Sequence, residues 1–85
     1  MPGSWQLEWD QTALKFLSDR FSADPAAAQH TIYMCLQLAF DPYTPASAES
    51  AVIGIRTLVD GGTYVVYEPL ESSRTVRILG VGRTA

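Results

Sequence analysis

Two neighbouring runs of residues decide the fold of this chain: Gly61-Gly62-Thr63-Tyr64-Val65-Val66-Tyr67-Glu68 and Val76-Arg77-Ile78-Leu79-Gly80-Val81-Gly82-Arg83. Both runs are rich in β-branched and aromatic residues, which favour strands. The polar segment Glu71-Ser72-Ser73 lies between them and has the composition of a turn. The sequence therefore predicts an antiparallel hairpin, with strands over Thr63–Glu68 and Thr75–Val81 and with Pro69 ending the first of them.

A third strand is predicted immediately before this hairpin, over Ala51–Val59. Asp60-Gly61-Gly62 supplies the positive-φ residues that a tight turn between the two strands needs. Three consecutive strands joined by short turns form an antiparallel meander. The preceding segment, Asp41–Ser50, contains two prolines and two serines and is predicted to be a loop.

The first forty residues predict one strand and two helices. Trp5–Trp9 alternates apolar and polar residues, which is the period of a half-buried strand. Asp10 is a suitable N-cap for a helix over Gln11–Phe21. Asp24-Pro25 is a second helix start, because proline at the first helical position needs no amide partner. This second helix is predicted to end near Phe40, since Pro42 disfavours helical geometry at the residue before it.

The second helix has an apolar stripe that we expect to face the sheet. Its members, spaced at helical intervals, are Ala28, Ile32, Cys35, Leu36 and Ala39. The only cysteine lies on this stripe, so we expect a small core residue rather than a nucleophile. His30 lies off the stripe and is expected to face solvent.

The predicted order β-α-α-β-β-β gives an α+β fold for a single domain over residues 1–85. It is a four-stranded antiparallel sheet with a helical hairpin packed on one face. The other face of the sheet stays open and is the natural place for function. Trp5, Leu7 and Trp9 share one side of the first strand. They either pack beneath the helices or form an interface with a partner or, as a homodimer, with a second copy.

Composition restricts the function classes. A lone cysteine and a lone histidine form no disulfide and no zinc-binding spacing, so neither a metal nor another cofactor is predicted. The apolar runs are too short to cross a membrane, and no signal-peptide pattern is present, so we expect a cytoplasmic protein. The net charge of −3 and the pI near 4.8 argue against a general phosphate-binding surface.

The basic residues are nevertheless unevenly distributed. Four arginines lie in the last thirty residues of the chain: Arg56, Arg74, Arg77 and Arg83. They either create a positive edge on the sheet or are merely solvated. Glu68 and Arg77 are placed to form a cross-strand ion pair. Tyr64 and Tyr67 are an odd number of positions apart, so their side chains are predicted to point to opposite faces.

The segment Gly62–Glu68, the terminal Val81-Gly82-Arg83 and the order of elements resemble the RelE/ParE superfamily of toxins. The resemblance implies a toxin, or toxin homologue, of a type II toxin–antitoxin system, with an antitoxin protein as its partner. RelE-like members cut messenger RNA on the ribosome without a metal ion, and ParE-like members poison DNA gyrase. The resemblance further implies that Arg56 and Arg83 are catalytic residues contacting a phosphate. We also expect Tyr64 and Arg77 to be binding residues.

The chain also departs from the family pattern. Val65 stands where the family has an arginine after the hairpin tyrosine, and Thr57 or Leu58 stands at a second basic position. Two functions therefore stay open: an endoribonuclease, or a non-catalytic protein-binding module on the same fold, such as a degenerate toxin or a ParE-like target inhibitor. A third alternative is an unrelated domain that binds a small ligand against its open sheet.

Overall fold

The computed structural model describes residues 4–84, apart from the side chains at positions 20–22. Residues 1–3 and 85, which the predicted domain includes, lie outside the described residues. The elements in chain order are β1 (Gln6–Trp9), α1 (Gln11–Ala23), α2 (Pro25–Phe40), β2 (Ser47–Glu49), β3 (Arg56–Asp60), β4 (Thr63–Leu70) and β5 (Thr75–Arg83).

The strands form one mixed sheet in the order β1-β5-β4-β3-β2. The predicted meander is confirmed, because β3, β4 and β5 are antiparallel neighbours. The prediction of four antiparallel strands is wrong in two respects: the sheet has five strands, and β1 runs parallel to β5. Most of the chain separates β1 from β5, so no tight hairpin imposes an antiparallel direction on this pair.

The additional strand, β2, lies within the segment predicted to be a loop. It forms a hairpin with β3, while the predicted strand over Ala51–Val59 begins only at Arg56. A tight turn occupies the intervening residues: the Ser50 amide donates to the Ile55 carbonyl at 2.8 Å, and Gly54 has φ 87°. The positive φ at Gly54 is incompatible with continuous strand geometry.

The sequence predicted that Pro69 ends β4, and this prediction is wrong. Pro69 pairs with Val76, and the strand continues to Leu70. The pairing of β3 with β4 stops at Tyr67, so Pro69 has only one neighbouring strand. A missing amide is tolerated at such an edge-like position.

Both predicted helix starts are observed. The Asp10 carboxylate accepts from the Thr12 amide at 3.2 Å, and the Asp24 carboxylate accepts from the Ala27 amide at 3.2 Å. The first helix is longer than predicted and ends at Ala23, so that Asp24 alone separates it from α2. The predicted end of α2 at Phe40 is confirmed. Between residues 4 and 84, no helix has both the length and the apolar character needed to span a bilayer.

Both helices pack on the same face of the sheet, against β5, β4 and β1. The buried apolar side chains between the layers come from Trp5, Ala13, Leu17, Ala28, Met34, Cys35, Leu38, Leu58, Val65, Tyr67, Val76, Ile78 and Val81.

The inward face of α2 differs from the predicted stripe. Met34 and Leu38 are fully buried, whereas Leu36 is half exposed. The helix is apolar around much of its circumference, so its periodicity alone does not decide which side meets the sheet. The expected role of Cys35 is confirmed: it is buried, and burial raises the pKa of its thiol to about 12.

The apolar side of β1 packs against the core. Trp5 is buried, and Leu7 and Trp9 are partly buried against the same core cluster. Packing beneath the helices therefore accounts for most of this surface, and a homodimer through it stays a prediction.

A β-bulge on β5 changes the direction of its side chains. Val66 pairs with Gly80 and Tyr67 pairs with Ile78, so that Leu79 is an extra residue on β5. After the bulge, Val81 points into the core on the same side as Ile78. The bulge therefore decides which face of the sheet the last residues of β5 occupy.

Tyr67 connects the centre of the sheet to the loop after α2. Its ring is fully buried, and its hydroxyl donates to the Pro42 carbonyl at 2.5 Å. Because this bond is itself buried, losing the hydroxyl would leave a carbonyl without a partner.

We expect Tyr67→Phe to lower the free energy of unfolding by about 1–2 kcal/mol, because it removes this buried hydrogen bond. Urea denaturation followed by tryptophan fluorescence measures the change. Tyr64→Phe is the matched control, since Tyr64 is only partly buried, and we expect it to stay within about 0.5 kcal/mol of the wild type. Equal stability of Tyr67→Phe and the wild type would contradict this role of the hydroxyl.

Asp24 has two separable roles, because one carboxylate oxygen caps α2 and the other accepts from Arg83 at 2.6 Å. We expect Asp24→Ala to cost about 1 kcal/mol or slightly more, mainly through the lost cap. Asp24→Asn keeps a capping oxygen and loses only a largely exposed ion pair, so its cost should stay below ~1 kcal/mol and shrink at high salt. Denaturation of both variants at two salt concentrations tests this; an equal cost for the two would refute the capping role.

Candidate functional site

The face of the sheet opposite the helices, here called the open face, is the candidate site. Side chains alternate along β4, so Thr63, Val65 and Tyr67 are buried under the helices, and Tyr64, Val66 and Glu68 occupy the open face. The prediction that Tyr64 and Tyr67 point to opposite faces is therefore confirmed. The strand registers place Glu8, Thr57, Val59, Arg77, Gly80 and Gly82 on the open face as well.

The middle of the open face is uncharged. Val59 is half exposed and lies beside Tyr64, while Thr57 lies beside Val66. Gly82 is the cross-strand partner of Tyr64, and a Cβ atom at Gly82 would lie 2.5 Å from the tyrosine ring. The ring therefore covers the glycine and lies along the sheet. The result is a flat apolar patch with one phenolic hydroxyl.

Arg77 is the charged centre of the other end of the open face. Its Nε donates to Glu8 at 3.0 Å, and Glu68 is its partner on the other side. The hydrogen bond with Glu8, followed by the charges of Glu8 and Glu68, raises the pKa of Arg77. The predicted register between Glu68 and Arg77 is confirmed, but the hydrogen-bonded ion pair is formed with Glu8. One guanidinium between two carboxylates leaves this end of the face without excess positive charge.

Arg56 lies on the helix-covered face, on the same side of β3 as the buried Leu58. Its Nε and Nη2 donate to the Ser47 hydroxyl at 3.1 and 2.9 Å, and the guanidinium lies 5.4 Å from the centre of the Tyr43 ring. It is half-buried. These contacts hold β2 and the loop after α2 against the sheet.

Arg83 lies on the helix-covered face as well, opposite Thr63, and donates to Asp24 at the start of α2. Arg56 lies on β3, on the other side of β4 from Arg83, and pairs with Tyr67. Tyr67 is four residues further along β4 than Thr63, the partner of Arg83. The Cα atoms of Arg56 and Arg83 are therefore roughly 16 Å apart, from the usual strand spacings. The structure does not bring the two arginines together, and a phosphate contact by either one stays a prediction.

An aromatic cluster that the sequence did not indicate lies at the end of the sheet near Arg56. The rings of Trp5 and Tyr43 meet edge to face with centroids 6.2 Å apart, and the Arg74 guanidinium lies 4.8 Å from the Trp5 ring centre. The Tyr43 hydroxyl donates to Glu71 at 2.5 Å, and this bond, with burial, raises the pKa of Tyr43 to about 12. The cluster ties the loop after α2 to the turn between β4 and β5.

Arg74 has φ 49°, which is unusual for a residue other than glycine. This left-handed conformation occurs in the four-residue polar turn that reverses the chain between Leu70 and Thr75. The Arg74 side chain packs on the Trp5 ring. The cluster therefore has a structural role in the contacts that the molecule makes with itself.

Two grooves flank Arg83 at the other end of the molecule. One, of about 420 Å³, is lined by Phe16, Asp19, Ala23, Asp24 and Arg83. The second, of about 540 Å³, lies between the start of α2 and the β3–β4 turn, and Arg83 shares it with His30.

The sequence predicted that His30 faces solvent, but its side chain also contacts another element of the fold. Its Nε2 lies 3.1 Å from the Asp60 carbonyl oxygen and 3.4 Å from the Asp60 carboxylate. The contact joins α2 to the β3–β4 turn, where Gly61 leaves space for the imidazole. Among the described residues, no three His, Cys, Asp or Glu side chains come together in a way that could hold a metal ion.

No protein-family model matches the sequence, and no curated protein matches it either. Solved structures do match the fold. A chain of the toxin–antitoxin complex RelBE2 from Mycobacterium tuberculosis superposes with a TM-score of 0.83 and 17% identity, over 100% of this chain and 97% of that one.

Two further matches are to a RelE toxin and to a ParDE system. The isolated RelE toxin of E. coli has a TM-score of 0.82 and 15% identity, over 96% of this chain and 86% of that chain. A chain of the chromosomal ParDE system of P. aeruginosa has a TM-score of 0.77 and 19% identity, over 98% and 99% of the two chains. The family resemblance of the β4–β5 hairpin is thus matched by the whole chain: its fold is that of the RelE/ParE toxins.

Proposed function

We propose that this chain is the toxin component of a type II toxin–antitoxin pair, and that it acts by binding a protein target through its open face rather than by cutting RNA. Its second partner is an antitoxin protein, which holds the toxin inactive. Support for the antitoxin comes from the similar structures, since both RelBE and ParDE are toxin–antitoxin systems.

The charge of the open face is the observation that carries this proposal. Its described charged side chains are Glu8, Glu68 and Arg77, which together have a net negative charge, and Arg77 is bound to Glu8. RNA binds a protein tightly when free cationic side chains neutralise its phosphates and release its condensed counterions into solution, and among the described residues this face has no such free cation. A flat apolar patch with a tyrosine is instead typical of a protein-binding surface.

The arginines that the family resemblance assigns to a phosphate are already engaged with other groups. Arg56 would have to give up its bonds to Ser47, and Arg83 its ion pair with Asp24, before either could bind RNA. Both also lie on the helix-covered side of the sheet, away from Tyr64. Phosphate binding at either arginine would therefore cost existing contacts.

RNA cleavage is the second candidate, and one observation favours it. Arg83 and His30 line the same groove, which brings together a guanidinium cation and an imidazole, the side chain most often used for general acid–base catalysis. Asp24 and Asp60, however, lie beside them and offset the positive charge. This electrostatic setting is why protein binding is the better-supported function.

The test is induced expression of the chain in a bacterial host, with growth and messenger-RNA integrity followed together. We expect growth arrest with no new cleavage sites in messenger RNA. Val59→Asp should relieve the arrest by more than ~10-fold in viable count, because a buried carboxylate is costly at the centre of a protein interface. Co-expression of the protein encoded next to this chain's gene should restore growth and give a complex that purifies as one species.

Val52→Asp is the matched control for Val59→Asp. Both valines are exposed, Val52 at 64% and Val59 at 52%. Val52, however, lies in the β2–β3 turn, away from the open face. It should arrest growth as strongly as the wild type, and circular dichroism establishes that both variants fold. Cleaved messenger RNA that depends on Arg83 or His30 would replace the proposal with the ribonuclease function, and equal effects of the two valine variants would exclude the open face.

A further inference from the structure

The outward side of α2 has no charged residue. Between Pro25 and Phe40 the sequence contains no Asp, Glu, Lys or Arg. Its solvent-facing side includes Gln29, Tyr33, Leu36 and Phe40, and we call these four residues the α2 seam. Tyr33, Leu36 and Phe40 are 57%, 50% and 75% exposed, respectively.

The spacing of the α2 seam is that of a helix-pairing surface. The four residues follow at i, i+4, i+7 and i+11, which is the alternation of three and four residues found at helix–helix seams. A solvated helix face normally carries charged residues, and large apolar side chains in a row indicate that something covers them. The core does not, because the buried side of α2 consists of Ala28, Thr31, Met34, Cys35 and Leu38.

We propose that two copies of this chain pair through their α2 seams in an antiparallel, twofold-symmetric arrangement. The uncharged seam offers nothing to a highly charged partner, whereas a second uncharged seam matches it without desolvating any ion. Antiparallel packing also places the positive end of each helix dipole beside the negative end of the other, which is favourable. The inference is independent of the proposed function, because the seam and the open face are on opposite sides of the sheet.

The twofold axis passes between Tyr33 and Leu36 of each copy, at the centre of the seam. Tyr33 then packs against Leu36 of the second copy, and Phe40 packs against Gln29 of the second copy. This register buries every member of the seam, as a self-complementary interface requires. A parallel arrangement would instead stack Phe40 on Phe40 and Gln29 on Gln29, and it would align the helix dipoles unfavourably.

The size of the seam sets the strength of the dimer. Its three large side chains, at their observed exposures, present roughly 400 Å² of surface per copy. A pair would then bury about 800–1,000 Å² in total, which is less than the roughly 1,200 Å² of a stable interface and is typical of weak, transient contacts. The dimer should therefore be weak and reversible, and form in the micromolar range or above.

Sedimentation equilibrium of the whole chain, from micromolar to near-millimolar concentration, tests the proposal. We expect the mass to rise from one chain to two, and Leu36→Glu should weaken dimerisation by at least ~10-fold. Ser18→Glu is the control, since it adds the same charge at an exposed position of the other helix, α1, away from the seam. Circular dichroism verifies that both variants keep the fold.

Cross-linking tests the register separately. With both Gln29→Cys and Phe40→Cys in one chain, mild oxidation should give a covalent dimer, because each new cysteine faces the other type across the axis. Eleven residues of helix separate the two positions within a chain, so they cannot bond internally. Each single variant serves as a control and should remain uncross-linked, as should the wild type with its buried Cys35.

Several outcomes would overturn the proposal. They are a single-chain mass at every concentration, a dimer that Leu36→Glu and Ser18→Glu affect equally, and a double cysteine variant that gives no more covalent dimer than its single controls. A monomeric chain that uses Leu36 to bind vesicles of neutral phosphatidylcholine would assign the seam to lipid instead. A monomeric chain that needs Leu36 only to retain the co-expressed neighbouring protein would assign it to the antitoxin.

Discussion

The pairing of β4 with β5 is the interaction on which the rest of the molecule depends. β4 lies at the centre of the sheet, and β5 carries β1 on its other edge and most of the contacts with the helices. Their inward side chains supply much of the core, and a buried hydroxyl on β4 fixes the loop that follows α2. Both faces of the sheet, one covered and one open, exist only because this pair of strands is continuous.

The same pairing places the two arginines of β5 beside carboxylates. On the open face Arg77 pairs with Glu8, and on the helix-covered face, at the opposite end of the molecule, Arg83 pairs with Asp24. Each of these two guanidinium groups is thus compensated by a carboxylate from the first third of the chain. The acidic composition is therefore not a separate property of the N-terminal half, because folding brings those acidic groups to the basic ones. This is the physical basis for favouring a protein target over a nucleic acid.

Local chemistry made part of this fold predictable from the sequence. The β4–β5 hairpin, the cap at Asp24 and the end of α2 depend on nearby residues only. The parallel direction of β1 and the existence of β2 depend on distant pairing, and a three-residue edge strand has no pattern to detect. The inward side of α2 was misjudged because the helix is apolar on both sides, which is also why it has an exposed seam.

The candidate site was predictable to a similar extent. Alternation along β4 correctly separated Tyr64 from Tyr67. The face of Arg83 could not be obtained in this way, because the bulge at Leu79 shifts the alternation of β5 by one position. Arg56 is kept from the open face for another reason: it lies on the same side of β3 as Leu58, which enters the core. Phosphate contacts by these two arginines accordingly rest on the family resemblance alone.

The contact between Tyr64 and Gly82 gives the open face an unusual means of changing shape. The ring lies flat only because its neighbour on β5 has no side chain, so the contour of the surface depends on an atom that is missing. Any methyl group introduced there would drive the phenol outward and replace a smooth platform with a protruding knob. A single codon could thus convert this surface from one that accepts a convex neighbour into one that needs a recess to receive it.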